Sequence, residues 1–531
     1  MSDKKTLKSE FAAADAAREP FMKRARNAAR LTHPTMLPEV STTQADVLAS
    51  SYQGIGQDGL SNIVNKVVLT IFPSNSPWFQ FKPSARARLL PYWTPKTLND
   101  FVKELHDRQQ LIESQFNSTK YRVKFRTAFE HTLGLGNSLT LCGGEDGDYW
   151  FQNFRLDHFV QKRSSGGDVL WGITKEMKDP MELSSEDISR AELPSREELE
   201  RKEGKDRNQE LYTKWIRQSD GKWLIQQEMN DKIIRWSIEP VNPYLPLGYI
   251  ELSGEDWSRG FVEEKMPWLR TFDTHHRSLL DWGVAISKLI LILDAMNAGG
   301  ITAKDLAGPS GQILIGSVRD GIAQGVAFLT SKMSADISVL AKMTDNIGQL
   351  LGKQFLLHTE AQRHAERVTA TEVMQVASQL EGALGPIYAE IASEIQPPLL
   401  KRMMYQMERD KLLTPLPKEI DEMIDIDVLT GLEALEQQRK LENGLAALQV
   451  LRSMPELLAR LSPERALTFI LQGFSLNETR LTRTEEELEA EVRARLGEQI
   501  QLAAGQQAAK TAGAVIEEGA KQQAATAAPA A

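Results

Sequence analysis

Residues able to do chemistry are sparse in this chain, and their spacing favours charge and packing over bond-making. Gly54-Ile55-Gly56-Gln57-Asp58-Gly59 has the GxGxxG form of a dinucleotide-binding loop. Such a loop needs an apolar strand before it and an acid roughly 20 residues later to hold the ribose. Here ADVLASSYQ precedes it and Ser74 to Ser76 stand where the acid belongs, so it reads as a loop opening a helix. Gly221-Lys222 and Gly352-Lys353 lack the upstream glycine and following hydroxyl of a phosphate-cradling P-loop, which leaves no recognisable ATP motor. The histidines are scattered, with no HExxH and no Cys-x-x-Cys. The adjacent His275-His276 is the nearest approach to a metal site and is expected at the surface. Cys142 is the only cysteine, so no intramolecular disulfide framework exists; in LTLCGG it reads as a buried thiol at a strand end. No GxSxG elbow occurs and no rule singles out a catalytic pair among the acids. No enzyme activity, metal or cofactor is expected.

A basic cluster of His358, Arg363, His364 and Arg367 lies within HTEAQRHAERVTATE. By itself it suits a solvated helix end, where cations meet the negative pole of the backbone dipole. The elements around it set its position. Thr369 and Glu372 have capping-box spacing for a new helix. Val373, Val376, Leu380, Leu384, Ile387, Ile391 and Ile395 then recur every three or four residues as its apolar face. Gly382, Gly385 and Pro386 should bend that helix, and Pro397-Pro398 should kink or interrupt it.

Upstream, the spacing predicts helices over about 57–72, 95–118 and 121–136, the first with a stripe of Leu60, Ile63, Val64, Val67, Val68 and Ile71. Residues 8–31 carry Arg18, Lys23, Arg24, Arg26 and Arg30 at helical spacing. That basic face is expected to be solvated, with nucleic acid or an acidic neighbour as the other possibility. Between about 138 and 253, LTLC, YWFQNF, HFVQKR, VLWGITKEM, ELYTKWIRQ, KWLIQQEM and IIRWSI read as antiparallel strands. Turns are expected at Gly143-Gly144, Ser164–Gly167 and Asp220-Gly221, and a short helix near 195–203 starting at the Ser195/Glu198 pair. This is a mainly antiparallel α+β body.

A helix from Arg259 to Met296 follows, with Pro267 near its start, and another over 335–357. Between them lies a Gly-rich excursion, far longer than the roughly 2–8 residues that join most helix pairs. IDIDVLTG (424–431) looks like a strand returning to the body; leucine-spaced helices and an Ala/Gln-rich tail, expected disordered, close the chain.

The chain has 531 residues, enough for about three or four domains. Its formal net charge of −9 argues against a protein drawn to nucleic acid by overall attraction. The first residues, MSDKKTLKSEF, do not have the apolar core of a secretory signal. The longest apolar run, Val284 to Leu293, contains Ser287 and Lys288 and is about half the ~20 residues that span a bilayer.

Residues 358–411 closely resemble the portal (head-to-tail connector) proteins of short-tailed, podovirus-type bacteriophages, in which an ERVTA-type stretch follows a stem helix. The resemblance extends to YRVKFRTAFEHTLGLGNSLTL (121–141), GLSNIVNKVVLTIFP (59–73), the NAGGIT turn (297–302) and the overall length. It implies a portal fold: an α+β wing over 1–258, a first stem helix 259–296, a clip 297–334, a second stem helix 335–357, a channel loop 358–370, a bent helix returning to the wing 371–431, a helical crown 432–505 and a disordered tail 506–531. It further implies a ring, a dodecamer, at one capsid vertex of the virion, assembled in the host cytoplasm, through which double-stranded DNA is packaged and ejected. The implied partners are the major capsid protein, scaffolding protein, terminase, tail adaptor and internal core proteins. Arg367, Arg363, His364 and His358 would then form a cationic constriction around DNA, with Lys342 and Lys353 facing the channel from the stem. Charges on 335–367 balance, which would let DNA slide rather than bind. The alternatives are a tail adaptor and, further off, a nucleotide-binding enzyme built on the GIGQDG stretch.

Overall fold

The computed structural model describes residues 6–43, 45–73, 78–84, 95–194, 196–200, 207–287, 291–293, 318–319, 322–323, 326–328, 334–357, 387–415 and 424–428. Two units partition the chain: one comprises residues 1–84 and 108–434, the other 85–107 and 435–531.

The first unit opens with helices α1 (Leu7–Ala17) and α2 (Glu19–Leu31). Thr6 caps α1, and the amides of Leu7 and Lys8 donate to the Glu228 carboxylate at 2.9 and 3.2 Å, so the free donors of the first turn meet a negative charge. Arg18 sits at the junction of the two helices and is not solvated, contrary to the reading of the basic face. It is 3% exposed, donates to the carbonyls of Leu156 and Phe159 (both 2.7 Å), and lies 4.9 Å from the Trp257 ring centre. Arg24 meets an acidic neighbour, Glu263, at 3.1 Å. The helix break turns Arg18 inward, which uniform helical spacing cannot anticipate.

Next come α3 (Ile55–Ile71), β1 (Phe79–Pro83), α4 (Pro95–Ser118, which crosses into the second unit) and α5 (Tyr121–Leu135). Phe72, Trp78, Phe116, Tyr121, Phe125, Phe129 and Phe151 interlock at ring separations of 5.1 to 6.4 Å, an aromatic cluster within the unit's core. Beside it His131 is enclosed, and its Nδ1 has no hydrogen-bond partner among the described residues. Burial lowers its pKa from 6.5 to about 4. A histidine with a depressed pKa contributes full stability above 6.5 and loses it as the pH falls toward 4. Between pH 7 and 5 this residue alone should cost about 2 kcal/mol. In His131→Gln the corresponding part of the acid-induced shift in urea midpoint should vanish; an undiminished shift would assign it to other groups.

All seven expected strands form: β2 (Asn137–Glu145), β3 (Asp148–Phe154), β4 (Phe159–Arg163), β5 (Val169–Lys178), then, after the short helices α6 (Ser185–Arg190) and α7 (Arg196–Glu200), β6 (Gln209–Arg217), β7 (Trp223–Met229) and β8 (Lys232–Glu239). They build a five-stranded sheet ordered β4-β5-β6-β7-β8 and, with β9 (Tyr244–Gly248), a three-stranded sheet ordered β3-β2-β9. Every pairing is antiparallel. Gly143-Gly144 is not a turn: both residues pair within β2, and the chain reverses at Asp146 (φ 53°) and Gly147 (φ 88°). A Cβ on Gly143 would lie 2.4 Å from the Trp150 ring, so this glycine admits a cross-strand indole. Cys142 is correspondingly mid-strand, and burial pushes its thiol up to about 12.

Helix α8 (Phe261–Ser287) is shorter than the 259–296 expectation, and Leu291–Leu293 forms strand β10 instead. Two-residue strands β11 (Val318–Arg319) and β12 (Ile322–Ala323) pair with each other, and β13 (Val326–Phe328) pairs with β10. A short apolar run fits helix or strand equally, and pairing with Val326–Phe328 decides for strand. Helix α9 (Ser334–Gln354) follows, then α10 (Ile387–Arg409) and β14 (Ile424–Val428), which pairs with β1 as the expected return to the body. Helix α10 runs through Pro397-Pro398 without interruption. Burial of Ile391, Ile395, Leu399, Leu400, Met403 and Met407 on one face offsets about 3 kcal/mol per interior proline. The Thr369/Glu372 cap, the Gly382–Pro386 bend, the helices beyond 432 and the Ala/Gln-rich tail lie outside the described residues.

Candidate functional site

Helices α8 and α9 pack antiparallel. Phe261 meets Phe355 edge-on at 5.6 Å, Phe272 lies against Gly348, and Thr344 Oγ1 is 3.4 Å from His275 Nδ1, so partner numbers fall along one helix as they rise along the other. His275 and His276 are therefore half-buried at or beside this seam rather than at the surface, with His276 edge-on to Phe272 at 4.4 Å. Among the described residues no cluster of His, Cys, Asp and Glu could hold a metal ion, and no helix is long and apolar enough to cross a membrane.

The outer surface of α9 is divided lengthwise. Lys342 and Lys353 are exposed and eleven residues apart, close to three turns of about 3.6, so they share one flank with Gln349 between them. The next flank carries Val339, Met343 and Leu350, spaced four and seven apart and about half exposed. Large apolar side chains aligned this way mark a surface suited to another protein surface.

The pair is tied into the body near the middle of α8 and at the C-terminal end of α9. Tyr52 N donates to Asp273 Oδ1 at 2.6 Å beside α8. Below α9, Gly59, Asn62 and Lys66 form one stripe on α3, at steps of three and four. A Cβ on Gly59 would stand 2.4 Å from Cγ of Phe355, so glycine there lets that ring seat directly on the helix backbone. Asn62 Nδ2 donates to the carbonyls of Phe355 and Leu356, both at 2.9 Å, and Lys66 Nζ donates to Leu356 O at 3.1 Å. Leu356 has φ 55° where a helix end of this kind usually has glycine, with Leu356 N bonded to Lys353 O and Leu357 N to Gly352 O. For a non-glycine residue that conformation costs about 1–2 kcal/mol. Burial lowers the pKa of Lys66, while the helix's negative pole suits its charge.

The family described as bacteriophage head to tail connecting protein matches residues 4–481 of the chain. The chain belongs to that family. This connector is similar to the portal protein of Escherichia phage T7, 26% identical over 460 residues that cover 83% of this chain and 82% of the relative. The portal protein of Enterobacteria phage T3 is 27% identical over 453 residues, 82% and 81% of the two chains. That of Pseudomonas phage phiKMV is 22% identical over 505 residues, 92% and 93%.

The connector's GIGQDG stretch is a packing device. Gly56 admits the carbonyl of Leu31, which a Cβ would approach to 2.3 Å, and Gly59 admits Phe355. Neither a nucleotide enzyme nor a separate tail adaptor is favoured. Of the six residues that the resemblance assigns to the channel, Lys342 and Lys353 fall together on α9, while His358, Arg363, His364 and Arg367 lie outside the described residues. Asn62 and Lys66 were missed. Their only trace in the sequence is a polar pair one turn apart beside an apolar stripe.

Proposed function

We propose that this connector is a ring-forming portal through which double-stranded DNA enters and leaves a capsid at one vertex. In this reading residues 1–258 are a wing, α8 and α9 a stem around the clip 297–334, residues 358–370 a channel loop, and 432–505 a crown. The observation that carries it is the divided surface of α9. A lysine flank beside an apolar flank suits a subunit whose neighbours bury the second and leave the first facing a shared axis. Two exposed lysines per subunit, beside Asp345, make a wall of weak net charge that touches phosphates without trapping them. The partners are further copies of the chain, in a dodecamer, with the major capsid protein, scaffolding protein, terminase, tail adaptor and internal core proteins around them. No catalytic step is assigned.

Electron micrographs of the purified protein should contain open-centred rings; compact single molecules under all assembly conditions would rule the proposal out. For the channel loop, Arg367→Ala in assembled particles should lower the amount of DNA packaged or retained. Unchanged packaging and retention would remove Arg367 from the gate.

A further inference from the structure

We propose that Lys66, with Asn62, is a positioning residue for DNA passage, because it holds the C-terminal carbonyls of α9 and so fixes where the chain leaves that helix. The proposal rests on the portal reading above. Three observations converge on the same two peptide units. The Lys66 side chain, in a residue only 2% exposed, donates to a helix-end carbonyl, Leu356 O at 3.1 Å. Asn62 turns both its amide donations to that end, at 2.9 Å each. Leu356 is held at φ 55°, and Phe355 sits on Gly59 closer than any Cβ would permit.

A helix that merely had to stop could end in glycine and leave its last carbonyls to water. Here a buried cation, a side-chain amide and a strained leucine are combined, and such features persist only where the surroundings over-determine one geometry. The over-determined geometry is the direction of the backbone at Leu357, one residue before the basic stretch that begins at His358. A charge ring is effective only if every copy presents it at the same height and radius. A misplacement of about 1 Å already weakens a preorganised site. The stripe Gly59–Asn62–Lys66 therefore acts as a template: glycine sets the depth of α9, and the two polar residues set the rotation of its last turn.

The test uses the full-length protein, as rings for hydrogen exchange and in assembled particles for packaging, with Lys66→Met, Lys66→Arg and Leu356→Gly. Losing a charged hydrogen bond should speed hydrogen exchange of the Leu356 and Leu357 amides by about tenfold or more in Lys66→Met. Packaged DNA should fall severalfold, and Lys66→Arg should restore most of it. Leu356→Gly relieves the left-handed strain, so its unfolding temperature should equal or exceed the wild type's while its packaged DNA still falls. A residue that only stabilised the fold would not produce that opposition. Unchanged exchange in Lys66→Met overturns the clamp. Faster exchange with full packaging in both Lys66→Met and Leu356→Gly overturns the positioning role. If Lys66→Met yields no rings, Leu356→Gly decides alone through packaging against stability. Failure of the portal reading would appear separately, as wild-type rings that carry no DNA, and would leave the exchange result standing.

Discussion

Replacing Arg18 with alanine should destabilise the first unit by about 3–5 kcal/mol, by the combined loss of two buried carbonyl partners and the stacking that covers them. The side chain is 1% exposed, and burial lowers its pKa; Asp15, paired to it at 2.7 Å, is the largest opposing influence. Removing the guanidinium strands Leu156 O and Phe159 O in the interior, at about 1–3 kcal/mol each. It also uncovers Trp257, which stacks on Phe21 at 5.1 Å. Asp15→Asn is the control: that carboxylate side chain is 47% exposed, so its loss should cost under about 1 kcal/mol. Denaturant midpoints at constant slope provide the measurement. Equal, small effects for Arg18→Ala and Asp15→Asn would mean that the arginine is a surface ion pair after all. Lys cannot fully substitute, since one ammonium cannot reach both carbonyls, as Nη1 does, and also hold Asp15, as Nε and Nη2 do.

Arg18 also marks where sequence reasoning ran out. Helical periodicity read 8–31 as one helical stretch with a single solvated basic face and missed the break at Arg18, which rotates everything after it. The strands from Asn137 to Glu239 were legible, since aromatic and β-branched runs bounded by turn residues fit little besides a sheet. Strands β1 and β9 were not. FQFKP is short, ends in proline and finds its partner only in β14, far along the chain. YLPLG carries Pro246, which argues against a central strand yet is tolerated because β9 lies at the edge of the β3-β2-β9 sheet. Proline misled in the opposite sense in α10, where burial on one face outweighed Pro397 and Pro398.

The candidate site divides along a similar line. Lys342 and Lys353 could be placed on one helix flank from spacing alone. The anchoring of α9 could not, because it depends on contacts between residues 59–66 and 355–356 that no local pattern encodes. Family membership supplies the connector role for the chain as a whole. The assignment of the four loop residues rests on position within the stretch 358–367, and the Arg367→Ala particles test it for Arg367.

The seat of α9 gives the second large effect. Gly59→Ala should cost about 1–3 kcal/mol, because the new methyl would fall 2.7 Å from Phe355 Cβ as well as 2.4 Å from Cγ. Cβ is not the far end of a flexible side chain, so the α9 backbone itself must move. Phe355→Ala should cost more, about 3–5 kcal/mol, since the ring is fully buried and also packs edge-on against Phe261. The double variant should be less damaging than the sum by about 1–3 kcal/mol, because the alanine methyl occupies space that the lost phenyl vacates. Denaturation of the two single variants and the double variant closes the cycle. Strict additivity would sink the contact. A coupling of the expected sign would make one glycine and one phenylalanine the joint that fixes the depth of α9, and with it the height at which Lys342 and Lys353 face their surroundings.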